Sequence, residues 1–417
     1  MAWASFPALT PHNREGGGTG GGKPPVMKRS AFLALGAAGY VASQHGVAAL
    51  AADDKPATLH AGDLASGPFD AISDVRGVRV GHLTKIEGEG PLRRGIGPVR
   101  TGATAILPNA DPWMQRCAAG LFFLNGNGEM TGTHWIAESG FIEEPILLTS
   151  TTCVPRVADG VIDWLIRVHP EIGISDDVPL PVVAECNDQA LNDTQGRHVH
   201  ADEIPALLAA AKSDQFARGS VGAGTGMRAF AFKAGIGSAS RVLRTEHGGY
   251  TVGVLVNANT GLRRQLTISG VPVGRALANE LLPVFPRRAA LERGRAADGS
   301  IIVVVATDAP LEARVLNALA KRTSLGLART GLTSQISSGD LMLAFSTTNL
   351  TPREGSKPAQ RLETDDDRIN ALYGATVDAT ESAIYDALWN ATTMTGVDGR
   401  TIYGLPHDRV RALLAGR

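Results

Sequence analysis

Short apolar runs alternate with polar, glycine-rich breaks along most of the chain. Residues 103–108, 145–150 and 181–185 are nearly unbroken apolar runs of strand length, which predicts buried strands. Residues 72–75 and 78–82 alternate around Gly77 and predict a strand pair or one bulged strand. Further strands are expected at 229–233, 240–244 and 250–257, at 301–306 after Ser300, and at 341–346. Helical spacing recurs at 157–168, where Val161, Ile162, Leu165 and Ile166 share a face. Shorter helices are expected at 135–139 and 204–212, and longer ones at 310–329 and 367–393. Glu381, Tyr385, Leu388 and Trp389 fall on neighbouring turns of the last helix. Residues 276–297 are charged, rich in Arg and Ala and weakly patterned, so they read as an exposed linker. Strands and helices mix without a strict βαβ beat. That favours an α+β sandwich, sheets packed together with helices outside, over a doubly wound parallel sheet.

The beginning of the chain is different. Residues 1–26 are rich in Gly and Pro and cannot build a core, which predicts disorder or a mis-assigned start. From Met27 a basic pair, an apolar run to Val41 and the small residues Ala49-Leu50-Ala51 follow the order of a secretory signal. The expected start is therefore Met27, with cleavage after Ala51 and a periplasmic or secreted product. The apolar run is too short to span a membrane. The 417 residues carry a formal net charge of −1, which gives no reason to expect nucleic acid or an anionic membrane as partner. Three cysteines without CxxC spacing argue against both a disulfide framework and a zinc site.

Candidate chemistry sits at the edges of the predicted strands. Asp298-Gly299-Ser300 runs directly into Ile301–Val305. Asp-Gly before a β-branched run is a turn signal. If the chain is cut before Ser300, however, one residue carries both a hydroxyl nucleophile and an amine base. Ser338 and Asp340 are two apart before another strand, so both side chains point the same way on extended backbone. Asn259 ends an apolar strand, where an amide serves a turn or donates to an oxyanion. Gly222–Gly226 lacks the endings of a P-loop or dinucleotide fold and reads as a turn that lets backbones approach. There is no H-E-x-x-H or G-x-S-x-G, and His198 with His200 lacks a third metal ligand nearby.

Several long segments, taken in order, resemble one family. They are Ile72–His82, Val221–Met227 with Phe232–Gly237, Asp298–Leu311, Ser338–Thr347 and Thr393–Asp408. The family is that of the L-aminopeptidase D-Ala-esterase/amidase and the β-peptidyl aminopeptidases, the DmpA/BapA family. The resemblance covers residues 65–412 and implies a four-layer αββα sandwich. It implies self-cleavage between Gly299 and Ser300, giving an α-chain 52–299 and a β-chain 300–417 of 118 residues, assembled as a tetramer of αβ heterodimers. It also implies Ser300 as nucleophile, and Ser338 and Asp340 as groups that orient it and bind the substrate amine. Asn259 would be an oxyanion donor. No cofactor is implied, and the activity implied is that of a serine aminopeptidase or amidase, releasing N-terminal L-, D- or β-residues from a small peptide, amide or ester through an acyl-enzyme on Ser300. In one place the chain departs from the pattern: Asn187 stands in Glu185-Cys186-Asn187-Asp188 where the family is expected to carry an oxyanion Tyr. The alternatives are an acyltransferase on the same fold, against which a serine rather than threonine nucleophile argues, or a processed but weak binding protein.

Overall fold

Two β-sheets stack face to face, and the alternation of apolar side chains along their strands explains why. The computed structural model describes residues 55–285, 299–354, 362 and 367–416. The leader segments 1–26 and 27–51 and the linker from 286 to Asp298 lie outside the described residues. The strands are β1 (Arg79–Glu87), β2 (Val99–Leu107), β3 (Gln115–Gly126), β4 (Phe141–Ile142), β5 (Ile146–Ser150), β6 (Val182–Cys186) and β7 (Arg228–Ala229). They continue as β8 (Phe232–Lys233), β9 (Ile236–Val242), β10 (Thr251–Asn259), β11 (Ser300–Thr307), β12 (Gly339–Pro352), β13 (Met394–Thr395) and β14 (Thr401–Ile402). The helices are α1 (Thr133–Ser139), α2 (Val154–Val168), α3 (Ile204–Ala209), α4 (Val273–Ala276), α5 (Ala313–Arg329), α6 (Asp367–Trp389) and α7 (His407–Ala415).

One sheet has the order β1-β2-β5-β6, the other β4-β3-β12-β11-β10-β9. In β11, Ile302, Val304 and Ala306 face a core shared with Ile106, Ile146, Leu148 and Ala184 of the smaller sheet. The intervening Ile301, Val303 and Val305 face a second core with α5 and α6, including Leu316, Leu319, Leu372 and Ile384. On the other side α2 buries Val154, Val157, Val161 and Leu165, spaced by helical turns, against Ala105, Leu147 and Val183. The layers therefore run helix, sheet, sheet, helix, the αββα sandwich expected. β11 is buried on both faces, which is why its sequence is an unbroken apolar run. Fully burying one such side chain contributes about 1.5–3 kcal/mol.

Two predicted strands are corrected. Residues 72–75 form a 3-10 turn, because the Asp74 carboxylate accepts the backbone N–H groups of Phe69 and Ala71 at 2.9 and 3.0 Å. The strand begins at Arg79. Residues 229–233 are not one strand but the tight hairpin β7–β8, turning through Phe230 and Ala231 at φ of 51° and 59°. Arg263 holds that unfavourable conformation by donating to both their carbonyls, at 3.0 and 2.7 Å. The same guanidinium donates to Leu277, Glu280 and Leu281, so the first part of the expected linker is pinned to the core. β3 and α7 were not anticipated from the pattern.

Candidate active site

The sheet topology brings the candidate residues to one edge. β11 runs parallel to β12 and antiparallel to β10, so the start of β11 lies between the start of β12 and the end of β10. In register, Ser300 faces Gly339 on one side and Asn259 on the other. Gly299 leaves no room for a side chain, since a Cβ there would lie 2.7 Å from both the Asn259 carbonyl oxygen and Thr260 Cα. Gly339 is equally confined, 2.5 Å from the Asn127 carbonyl oxygen, and its N–H donates to the Gly299 carbonyl at 3.3 Å. Glycine is what lets these three backbones converge. Ser300 is buried at the wall of a cleft of about 460 Å³ that Gly299, Asn259 and Asn187 also line.

Ser338 and Asp340 lie just behind this wall. Ser338 Oγ donates to Asp340 Oδ1 at 2.5 Å, and Asn125 Nδ2 donates to Asp340 Oδ2 at 3.2 Å. Ser338 and Asp340 are buried and Asn125 is half-buried, so this carboxylate is spent on the serine hydroxyl and the amide. Ser337, rather than either of them, lines the cleft, held by Asn127 Nδ2 on its carbonyl at 2.7 Å.

On the other flank, Asn259 is fixed at both ends of its amide. Its Oδ1 accepts the N–H of Arg228 at 3.1 Å, and its Nδ2 donates to the Asn187 carbonyl at 3.0 Å. Asn187 is exposed, and its Oδ1 accepts the N–H of Gln189 at 2.9 Å. The departure from the family pattern thus sits on the cleft, and its backbone orients Asn259. The loop is anchored by Asp188, fully buried, which accepts from Thr101, Ser150 and Asn192 at 2.5, 2.9 and 3.1 Å. Burial pushes its carboxyl up to about 6.

Two acidic residues of the cleft were given no role from the sequence. Glu185 and Glu129 both line it, with the Glu129 N–H donating to Glu185 Oε1 at 3.2 Å and the Thr151 hydroxyl to Oε2. Burial raises the Glu185 carboxyl above the usual glutamate range, against those two hydrogen bonds. A carboxylate inside the apolar run of β6 is the signal that marks it.

Lys233, at the base of the β7–β8 hairpin, is fully buried and donates to the carbonyls of Gly224 and Ala234 at 3.2 and 2.6 Å. Burial lowers its ammonium to about 7. Among the described residues no group of three or more His, Cys, Asp or Glu side chains could hold a metal ion. His198 meets Asp193 at 3.0 Å, and His200 meets Arg156 at 3.3 Å. No helix of the described residues is long and apolar enough to cross a membrane.

The sequence profile of Peptidase family S58 matches residues 70–402, which span all these elements. The chain belongs to peptidase family S58. It is 44% identical over 354 residues to the beta-peptidyl aminopeptidase BapA of Sphingosinicella microcystinivorans, covering 84% of this chain and 88% of that protein. A BapA from Sphingosinicella xenopeptidilytica is 41% identical over 360 residues, with the same coverage. Among solved structures, the L-aminopeptidase D-Ala-esterase/amidase from Ochrobactrum anthropi is similar, with TM-score 0.77 and 37% identity, covering 86% of this chain and 97% of that one. That enzyme is described as a prototype for the serine aminopeptidases and a variant of the Ntn hydrolase fold. A Burkholderia sp. beta-aminopeptidase has TM-score 0.75 and 38% identity over 85% of this chain and 96% of that chain. As a member of family S58 the protein is a hydrolase of the aminopeptidase type.

Proposed function

We propose that the protein is a self-processing serine aminopeptidase. It releases N-terminal residues, β-residues among them, from short peptides, amides or esters through an acyl-enzyme on Ser300. The observation that carries this reading is the position of Ser300: first residue of a doubly buried strand, on a cleft, between Asn259 and the Ser338–Asp340 pair. The β-residue specificity is suggested by the two BapA relatives.

In the precursor, Ser300 Oγ attacks the Gly299 carbonyl carbon. The Gly339 N–H, which donates to that carbonyl at 3.3 Å, supports this step by steadying the oxygen. The C–N bond breaks, the nitrogen takes a proton and becomes the Ser300 α-amine, and water then hydrolyses the resulting ester to free the Gly299 carboxylate. An unperturbed α-amine has a pKa of about 7.7–8.0, so a useful fraction is neutral near pH 7 and accepts the Ser300 proton during turnover. Asp340 acts through Ser338, which is one strand over from the nucleophile. Glu185 and Glu129 are the cleft's acidic groups and suit the substrate ammonium, while the Asn259 amide suits the oxyanion. The acyl group passes to Ser300 Oγ, the amine leaves with the proton, and water resolves the ester. The secreted location and the tetramer of αβ heterodimers belong to the same reading.

Denaturing electrophoresis with mass analysis tests it. Active protein is expected as two chains, the smaller beginning at Ser300. A single uncut chain in a preparation that hydrolyses aminoacyl p-nitroanilides would overturn it.

A further inference from the structure

We propose that Arg228 holds the C-terminal carboxylate of the leaving group, so that free dipeptides are the preferred substrates of this cleft. The proposal rests on Ser300 as the nucleophile and adds a second recognition point to it. The strand order gives the cleft a direction. Along the sheet edge lie the end of β3, with Glu129 three residues beyond it, the start of β12, Ser300 on β11, and the end of β10 with Asn259. Arg228 follows, its N–H bonded to Asn259 Oδ1. Glu129, with Glu185 bonded to its N–H, therefore lies toward one side of Ser300, and the Arg228 backbone is attached on the other. Arg228 is the basic side chain among the described residues lining the cleft.

The chemistry of an aminopeptidase matches this polarity. The substrate ammonium lies on the acyl side of the scissile bond, and the leaving group must extend the opposite way. With the acyl side at Glu185 and Glu129, the leaving group runs past Asn259 to Arg228. A guanidinium presents a planar fork that fits a carboxylate with two parallel hydrogen bonds. Arg228 is half-buried, with its Cζ 5.9 Å from the centre of the Phe285 ring, and in that environment a charge pair is screened less than in open water. Length also fits. Three strand spacings from β3 to β10 are about 14 Å. Two extended residues span at most about 7 Å, which leaves about 7 Å for the long Glu and Arg side chains to cover between them.

The test compares a dipeptide with its C-terminal carboxamide, which share the same acyl residue. Wild-type protein is expected to favour the free acid about tenfold or more in kcat/KM, mainly through KM, with the preference shrinking as salt is added. Arg228→Met should bring the ratio near one, and Arg228→Lys should keep part of it. Equal rates on acid and amide in the wild type, or an unchanged ratio in Arg228→Met, overturn the carboxylate role while leaving the Ser300 reading intact. Hydrolysis of neither substrate by protein that is cut at Ser300 and cleaves aminoacyl p-nitroanilides likewise overturns the carboxylate role and leaves the Ser300 reading intact. The wild-type ratio and its salt dependence need no variant, so a misfolded Arg228→Met does not blunt the test.

Discussion

The Ser338 hydroxyl reaches the Asp340 carboxylate across 2.5 Å, and the glycine between them is the register partner of Ser300. A hydrogen bond to a charged acceptor fixes where the serine oxygen sits and which way its lone pairs face. Asp340→Asn weakens that bond, and Ser338→Ala removes it. Each is expected to lower kcat on an aminoacyl p-nitroanilide by about 10²–10⁴, the usual scale for positioned proton-transfer groups. The fold should survive, since Asn125 can still pair with an amide at 340. Near-wild-type turnover in both variants would remove the pair from the mechanism.

Ser300→Ala should give a folded, uncut single chain with no peptidase activity. Gly299→Ala and Gly339→Ala test the convergence of backbones instead. Their added Cβ atoms would meet backbone at 2.7 and 2.5 Å, so something must shift around the bond to be cut. Both variants should accumulate uncut chain, visible in a time course on denaturing gels. Cleavage at the wild-type rate in both would show that the close approach is irrelevant to processing.

Glu185 sets activity against stability. If its carboxylate binds the substrate ammonium, Glu185→Gln loses a charge-assisted hydrogen bond of about 1.5–3 kcal/mol, roughly a ten- to hundredfold rise in KM. Burial raises the folded-state pKa above that of the unfolded chain. As pH rises through and above the ordinary glutamate range, the unfolded chain releases its proton first, and the wild type loses stability. Glu185→Gln does not titrate. It should match the wild type near pH 4 and exceed it in urea midpoint at neutral pH, while binding substrate less well. A variant less stable than wild type at pH 7 would count against this account.

Lys233 has the opposite sign. Its folded-state pKa is lowered to about 7, whereas the unfolded lysine keeps its proton to about 10.5. Between those values the unfolded chain holds the extra proton, so stability rises with pH. The wild-type unfolding midpoint, measured relative to Lys233→Met, should therefore climb from pH 7 to pH 10. A flat difference would mean that the ammonium is not buried in solution.

Much of this was readable in the chain because burial on both faces leaves a continuous apolar run. β11, β5 and β6 showed themselves that way, and the glycine before Ser300 marked the edge. What stayed hidden depended on distance in sequence. Asn125 meets Asp340 from 215 residues away, and no local pattern points to it. Glu185 was concealed by its own strand, where periodicity describes the neighbours and not the exception. The hairpin at 229–233 looked like one strand because the residue that bends it, Arg263, lies about thirty positions downstream. β3 mixes Arg, Gly and Asn with its apolar residues, so neither period stands out.

β11 is gripped by β10 and β12 along its whole length. If the chain is cut at its first residue, the two pieces share one sheet, and neither can leave without dismantling it. Unfolding would then separate what was once a single molecule, and recovery would require two fragments to meet. Folding would be unimolecular before the cut and bimolecular after it. The mature enzyme's lifetime would then be a matter of how slowly it opens rather than of how favourably it closes.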